Sequence, residues 1–504
     1  MEPVSWESEI PFGDDKPREH CGVFGIYGHV QAAQMTYYGL LALQHRGQEG
    51  SGIVTSEFDH RAKRFHFHVH KDFGLVNDVF HNETILSAVL RGSAAIGHNR
   101  YSTAGASDNR LNIQPFVVNY RNGNIAISHN GNLTNFRAIR KQLHDEGTIF
   151  QTTADTEVIL HLIAKSKEPD QIHQIIDALN RVRGAFSLTI LTDDKLIAAR
   201  DPHGWRPLAL GKLGKAFVIA SETCALDIID AEYVCDVEPG EVLVLDKESL
   251  ETGIAKSYHL EKKNDRPHCC IFEYIYFSRP DSRIFGESVD RVRRKLGKSL
   301  AREHPVEPES EKEPVVIINV PDSSNTATLG FLSENAKRGN ASKYEIGLIR
   351  SHYVGRTFIQ PDQDLRQMKV KTKFNTVRGV LKGKKVVIVD DSIVRGTTSK
   401  QLVKLVRDAG AKEIHFRVSS PMIRYPCHYG MDFPKADELI ANLCDGNVEN
   451  ICRELGVDTL GYLSLEKLLE SVPRSRGESY CTACFSGEYP TPVESGVSKN
   501  GLEM

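Results

Sequence analysis

Val386-Val387-Ile388-Val389-Asp390-Asp391-Ser392-Ile393-Val394-Arg395-Gly396-Thr397-Thr398-Ser399 sets the architecture of the second half of this chain. Its first four residues are an unbroken apolar run, the pattern of a strand buried on both faces. The run ends in two carboxylates and passes into a loop of hydroxyls around Gly396. In Lys400-Gln401-Leu402-Val403-Lys404-Leu405-Val406, which follows, the apolar residues recur at helical spacing. Upstream, Val315-Val316-Ile317-Ile318-Asn319-Val320 followed by Pro321-Asp322-Ser323-Ser324-Asn325-Thr326 repeats the design. Buried apolar strands feeding helices build a parallel α/β sheet, whose ligands sit at the carboxyl ends of the strands.

The chemistry of that loop is specific. Free N–H groups at a helix start favour an anion, glycine admits close backbone approach, and Thr and Ser hydroxyls add donors. Asp390 and Asp391 would repel a phosphate. Their use is to accept hydrogen bonds from sugar hydroxyls or to hold a divalent cation. Phosphate, diol and Mg2+ together describe a phosphorylated ribose. An acid pair that merely caps a helix is the plainer alternative, but the order of acids, glycine and hydroxyls favours a ligand site. The string resembles the 5-phosphoribosyl-1-pyrophosphate (PRPP) motif of type I phosphoribosyltransferases. That resemblance implies PRPP binding by Asp390, Asp391, Ser392, Arg395, Gly396, Thr397 and Thr398. It also implies one Mg2+ at Asp390, Asp391 and Ser324, and a lid at Tyr353-Val354-Gly355-Arg356-Thr357-Phe358 that brings in Arg356.

The first half has a different rhythm. Ile125-Ala126-Ile127, Ser187-Leu188-Thr189-Ile190-Leu191 and Glu241-Val242-Leu243-Val244-Leu245 are short strands between Gly/Asn/Asp turns. Glu157-Val158-Ile159-Leu160-His161-Leu162-Ile163-Ala164 has helical spacing. Stacked sheets with helices outside are expected. Glu261-Lys262-Lys263-Asn264-Asp265-Arg266-Pro267 reads as a linker. A strand is expected to start at Cys21-Gly22-Val23-Phe24-Gly25-Ile26, and a lone Cys is more often a small buried hydrophobe than a nucleophile. Four strings change that weighting: Gln44-His45-Arg46-Gly47-Gln48-Glu49, the stretch from Gly97 to Gly105, His129-Asn130-Gly131-Asn132-Leu133-Thr134-Asn135, and Thr152-Thr153-Ala154-Asp155-Thr156-Glu157. Glutamine hydrolysis needs a guanidinium for the α-carboxylate and a carboxylate for the α-ammonium. It also needs a thiolate for the amide carbon and two fixed donors for the tetrahedral oxygen. Arg100, Asp155, Cys21, and the pair Asn130 (side-chain amide) and Gly131 (backbone N–H) fit those needs. The set resembles the N-terminal-nucleophile class II glutamine amidotransferase domain, and the resemblance adds Arg46 and Thr103 to the glutamine pocket.

A nucleophile needs a base. If Cys21 were the first residue its own α-amine, titrating near ~8, would stand beside a thiol of ~8.5. The twenty residues before it hold six acids, two bases and three prolines, with no apolar stretch. They are not a secretory signal. They are expected to be a propeptide, removed between His20 and Cys21.

With 504 residues the chain is too long for one ordinary domain. Its formal charge of -3 argues against broad binding to nucleic acid or an anionic membrane. Ten cysteines without an export signal point to a reducing, cytoplasmic compartment. Cys481-Thr-Ala-Cys484 is a CxxC pair that alone leaves zinc, an iron–sulfur cluster or redox chemistry open. Cys224, Cys235, Cys444 and Cys452 are expected to pack as small apolar groups.

Both halves, in this order, resemble the amidophosphoribosyltransferase family in its cluster-containing form. The resemblance implies one [4Fe–4S] cluster at Cys270, Cys427, Cys481 and Cys484. Cys270 is preferred to Cys269 because it stands three before Glu273, as in the family motif. It further implies L-glutamine and PRPP as substrates, a closed internal passage for ammonia, inhibition by purine nucleotides, and a homotetramer. The expected organisation is a propeptide over 1–20, an αββα sandwich over 21–255, a phosphoribosyltransferase-type parallel α/β domain over 256–470, and a cluster-bearing tail over 471–504. A sugar-isomerising aminotransferase or an asparagine-synthetase-like enzyme would share the front half, but Asp390-Asp391 speaks against both. A PRPP-sensing regulator would lack the glutamine strings.

Overall fold

The computed structural model describes residues 21–101, 109–261, 266–351, 374–473 and 479–492. The chain divides into two compact units. The expected propeptide, Thr103 and Arg356 lie outside the described residues.

The front unit runs to Arg293 and also takes in Cys427–Asp432 and the chain from Leu469. It is built on two antiparallel sheets. The seven-stranded sheet runs, edge to edge, through Glu232–Asp236, Ala209–Leu213, Ala216–Ala220, Gly22–Tyr27, Ala94–Arg100, Gly50–Asp59 and Arg64–Phe73. The six-stranded sheet runs through Lys256–His259, Glu241–Leu245, Leu196–Arg200, Gly184–Thr192, Gly123–Leu133 and Phe116–Tyr120. Side-chain alternation along each strand makes the four layers. Val23, Val54 and Ile96 of the first sheet meet Ala126, Leu191 and Ala198 of the second in the middle core. Their neighbours Phe24 and Ile26 face the helix Ala32–Ala42. Ile125 and Ile127 face the helices Phe136–Asp145, Glu157–Lys165 and Gln171–Arg181. Each large apolar side chain so buried contributes about 1.5–3 kcal/mol, so a strand shifted by one residue would expose a whole row of them. The αββα expectation holds.

The boundary expected at residue 256 moves to Arg294. The reason is backbone pairing: His268 donates to the His203 carbonyl at 2.7 Å and Cys270 to the Trp205 carbonyl at 3.0 Å, tying this stretch to the sandwich. Cys224 is buried in the apolar core as expected. Cys235 is exposed instead, because Glu232–Asp236 is an edge strand.

The rear unit comprises Arg294–Pro426 and Phe433–Leu468. Its main sheet has five strands, all parallel, in the order Ser342–Tyr344, Val315–Asn319, Lys385–Asp390, Glu413–Val418, Thr459–Tyr462. Val316, Ile318, Val386 and Ile388 pack on Leu402, Val403 and Val406 of the helix Thr397–Asp408. The chain winds one way from Val315–Asn319 and the other way from Lys385–Asp390. The crevice at the carboxyl ends of these two neighbours is the topological switch point, where doubly wound sheets hold ligands.

Candidate functional sites

Cys21 immediately precedes the central strand Gly22–Tyr27 and is 7% exposed. Its thiol lies 3.4 Å from the Tyr101 carbonyl oxygen. Cys21, Arg100, Gly131 and Asp155 line one small cavity of about 20 Å³. Burial pushes the thiol up to about 11, against the opposing pull of the Tyr101 peptide and the Arg100 cation. Arg100 ends the strand Ala94–Arg100 and is almost fully buried, with the Glu49 carboxylate 3.9 Å away. Burial alone would raise the pKa of Asp155. The His129 ring and the N–H of Leu133, which donates at 2.8 Å, outweigh it and hold the carboxyl below its ordinary range. The pocket therefore presents a cation and an anion together with a neutral thiol.

Asn130 and Gly131 lie on the strand Gly123–Leu133. Asn130 has the same strand parity as Ala126, which packs between the sheets, and Cys21 the same parity as Val23 in that layer. Asn130 is fully buried, and neither its Nδ2 nor its Oδ1 has a hydrogen-bond partner among the described residues. Leaving a buried amide unpaired costs about 1–3 kcal/mol, so the position is paid for by something other than folding. Gly131 has φ +153, and a Cβ there would collide with the Ala185 carbonyl oxygen, which rules out any side chain beside the thiol.

Arg46 is not on the wall of this cavity. It is 1% exposed, ion-paired with Glu222 and with Glu273 at 2.7 Å, and Glu273 also takes Arg206 at 3.1 Å. The guanidinium holds the sandwich to the segment around Glu273. Asn112, Gln114 and His129 line the cavity without having been singled out in the sequence. Gln114 accepts from the His129 N–H at 2.8 Å, and His129 Nδ1 meets Thr156 Oγ1 at 2.9 Å. His129 adjoins Asn130 in the sequence, which was a usable signal. Gln114 and Asn112 carried none.

The four predicted cluster cysteines all belong to the front unit. His268–Cys270 pairs in parallel with Ser479–Cys481, with Cys270 opposite Cys481. Cys484 lies on the short helix Ala483–Ser486, and Cys427 accepts the Tyr429 N–H at 3.4 Å. Cys427 and Cys481 pack against a patch of Ala185, Trp205 and Tyr429. Burial first, and then Cys270 and Cys427, raise the Cys481 thiol to about 12. Cys484 is driven up by burial and by Cys481, Cys270 and Cys427. Cys269 instead lines a separate cavity with Arg200 and Phe285, as strand alternation from Cys270 requires. Among the described residues no three His, Cys, Asp or Glu side chains close on one point at single-ion range. An Fe4S4 core holds its cysteines apart across its own width. Two buried cysteines, Cys270 and Cys484, and two half-buried ones, Cys427 and Cys481, beside the Arg206 cation supply the four sulfur ligands that such a group takes.

In the rear unit, Asp390 and Asp391 are each 1% exposed at the carboxyl end of their strand. Asp390 accepts the Asp391 N–H at 2.9 Å, and Asp391 accepts the Ser392 hydroxyl at 2.6 Å. Gly396 sits at φ +81 directly before the helix Thr397–Asp408, where a Cβ would strike Ile440. The first-turn N–H groups of that helix, with Thr397 and Thr398, form an anion-accepting start. Two adjacent hard-oxygen carboxylates fit Mg2+ that takes its remaining ligands from a substrate. Ser324 requires a correction. Its hydroxyl is fully buried, accepts the Val320 N–H at 3.0 Å and lies 2.8 Å from the Val320 and Val389 carbonyls. It clamps the ends of two strands and does not face a cation. Arg395 pairs with Glu438 at 2.6 Å.

A family profile described as a glutamine amidotransferase domain matches residues 98–227. "Amidophosphoribosyltransferase 1, chloroplastic" of Arabidopsis thaliana is 49% identical over 490 residues, covering 97% of this chain and 82% of the relative. "Amidophosphoribosyltransferase" of Bacillus subtilis is 46% identical over 479 residues, covering 94% and 95%. A solved structure described as glutamine PRPP amidotransferase from B. subtilis complexed with ADP and GMP superposes with a TM-score of 0.85 at 45% identity, covering 96% of this chain and 100% of the other.

Proposed function

This chain belongs to the amidophosphoribosyltransferase family, and on that premise we propose that it hydrolyses L-glutamine at Cys21 and transfers the ammonia to PRPP. The products are 5-phosphoribosylamine, glutamate and pyrophosphate, and the reaction is the first step of purine nucleotide synthesis. The observation that carries this reading is the unpartnered amide of Asn130 beside Gly131, in the inter-sheet layer of a buried thiol flanked by Arg100 and Asp155.

While His20 is attached, the Cys21 nitrogen is a non-basic amide, and a thiol at about 11 supplies little thiolate at neutral pH. Loss of residues 1–20 places an amine of ~8 on the same residue. Arg100 pairs with the glutamine α-carboxylate and Asp155 with its α-ammonium. The amine takes the thiol proton as sulfur bonds to the amide carbon, and Asn130 and the Gly131 N–H hold the oxyanion. Collapse breaks the C–N bond, the amine returns its proton to the leaving nitrogen, and ammonia departs. Water then cleaves the thioester to release glutamate.

At the second site Ser392, Gly396, Thr397 and Thr398 take the 5-phosphate while Asp390 and Asp391 orient the ribose. Ammonia bonds to the anomeric carbon as the bond to pyrophosphate breaks. Asp390 and Asp391 would hold Mg2+, which would supply charge neutralisation for the leaving group. Arg395 and Arg356 add cationic charge to this reading, and Thr103 adds to the glutamine pocket. Arg46 acts through the scaffold. Cys270, Cys427, Cys481 and Cys484 hold a structural [4Fe–4S] cluster. Purine nucleotides inhibit, in keeping with the ADP and GMP of the B. subtilis structure, and the enzyme is a cytoplasmic homotetramer. No helix among the described residues is long and apolar enough to cross a membrane. Pyrophosphate release from PRPP that requires glutamine, or ammonia in its place, tests the reading. PRPP binding without release under either condition would mark a regulator instead.

A further inference from the structure

Two consecutive residues next to the cysteine centre have side-chain N–H groups that no oxygen or nitrogen among the described residues accepts from. Trp205 is 1% exposed, and among the described residues its indole Nε1 has no oxygen or nitrogen partner, with the Cys481 sulfur within reach; Arg206 is fully buried and its Nε has no partner among those residues. Both side chains are locked. The Trp205 ring is stacked on Tyr429 at 4.2 Å and covered on its other contact by His203, also at 4.2 Å. Arg206 spends its terminal nitrogens on Glu273 at 3.1 Å and on the Tyr429 carbonyl at 3.1 Å. Stacking and pairing of this kind fix where the leftover N–H vectors point, and a buried donor left over is destabilising unless something accepts from it. The sulfur ligands are the acceptors at hand. The Trp205 indole adjoins Cys481, and the Arg206 cation interacts with Cys270 and Cys427.

We propose that Trp205 Nε1–H and Arg206 Nε–H donate hydrogen bonds to the cluster sulfurs, with Arg206 also balancing their charge. This rests on the [4Fe–4S] reading of the four cysteines. Hydrogen bonds to the sulfurs, net charge and exposure set a cluster's reduction potential, and donors stabilise the more negative, reduced form. Removing one lowers the potential.

The test uses the full chain, purified without oxygen. Iron and sulfide analysis of the wild type comes first; absence of iron would overturn the cluster reading, and this proposal with it. With about four irons per chain in place, Trp205→Phe keeps the stacked ring and removes only the N–H, and Arg206→Lys keeps the charge and removes the Nε. Both variants should retain iron, show a downward shift of the midpoint potential, and lose their visible absorption in air several-fold faster. Unchanged potentials in iron-loaded variants would overturn the proposal. Should either variant fail to fold, the wild type labelled with 15N at its indole nitrogens decides. Only Trp6 and Trp205 carry them. Pulsed electron paramagnetic resonance of the reduced cluster should show 15N coupling, which Trp6→Phe leaves intact. No coupling in the loaded protein would refute the Trp205 donor.

Discussion

Replacing Asn130 by Ala should separate folding from chemistry. The amide is fully buried with both polar atoms unpartnered, so its removal relieves a desolvation penalty of about 1–3 kcal/mol. Against that stands a small cavity. At ~24 cal/mol per Å3, the roughly 40 Å3 of a deleted carboxamide costs about 1 kcal/mol. The net effect on stability is between about zero and a gain of about 2 kcal/mol. Catalysis moves the opposite way: loss of one oxyanion donor costs about 100- to 1000-fold in turnover, or roughly 2.7–4 kcal/mol. The assay pairs glutamate release with a thermal melt of the same preparation. The expected result is a slowed glutaminase in a protein whose melting midpoint is unchanged or higher by up to about 6 °C, with ammonia-dependent activity intact. A fall in melting midpoint with activity lost in proportion, or an unaltered rate of glutamate release, would refute the reasoning.

Other outcomes follow from the same geometry. Cys21→Ala should abolish glutamine use while leaving pyrophosphate release driven by added ammonia, and loss of both activities would contradict separate sites. The mass of the purified enzyme should correspond to a chain starting at Cys21; a persistent Met1 start in active enzyme would contradict the amine base. In a variant that keeps its leader, the Cys21 thiol sits at about 11 because of burial. Its alkylation should therefore keep rising through pH 9–10, as the thiolate appears only when pH climbs towards the raised pKa; a plateau near ~8.5 would show an unperturbed thiol. Asp391→Asn should weaken PRPP-dependent activity with either nitrogen source and leave glutaminase activity in place, measured by separate glutamate and pyrophosphate assays.

The residues that reveal the fold are the ones whose information is local. Val386-Val387-Ile388-Val389 needs only burial on both faces to read as a parallel strand, and Gly396 before Thr397 needs only a helix start. Ile125-Ala126-Ile127 alternates visibly between two cores. Ser324 misled because a hydroxyl in a ligand-type loop reads the same whether it points at a cation or at the Val320 and Val389 carbonyls. Only strand packing decides between them. Arg46 misled in the same way: its partners, Glu222 and Glu273, lie far along the chain. Gln114 and Asn112 reach the Cys21 cavity through tertiary packing that no spacing announces. The boundary at Arg294 was hidden because the contacts of His268 and Cys270 with the sandwich are backbone hydrogen bonds, which leave no mark on side-chain chemistry.

The front unit draws its four sulfur ligands from three remote stretches of chain, at Cys270, Cys427 and Cys481 with Cys484, the last of them past Leu469. A ribosome delivers domains in order from the amino end. The sandwich strands emerge long before the final cysteine pair, so a nascent or prematurely terminated polypeptide can assemble its sheets yet cannot close this centre. On the proposed [4Fe–4S] reading, iron would be loaded only after complete translation, and truncated copies would lack it.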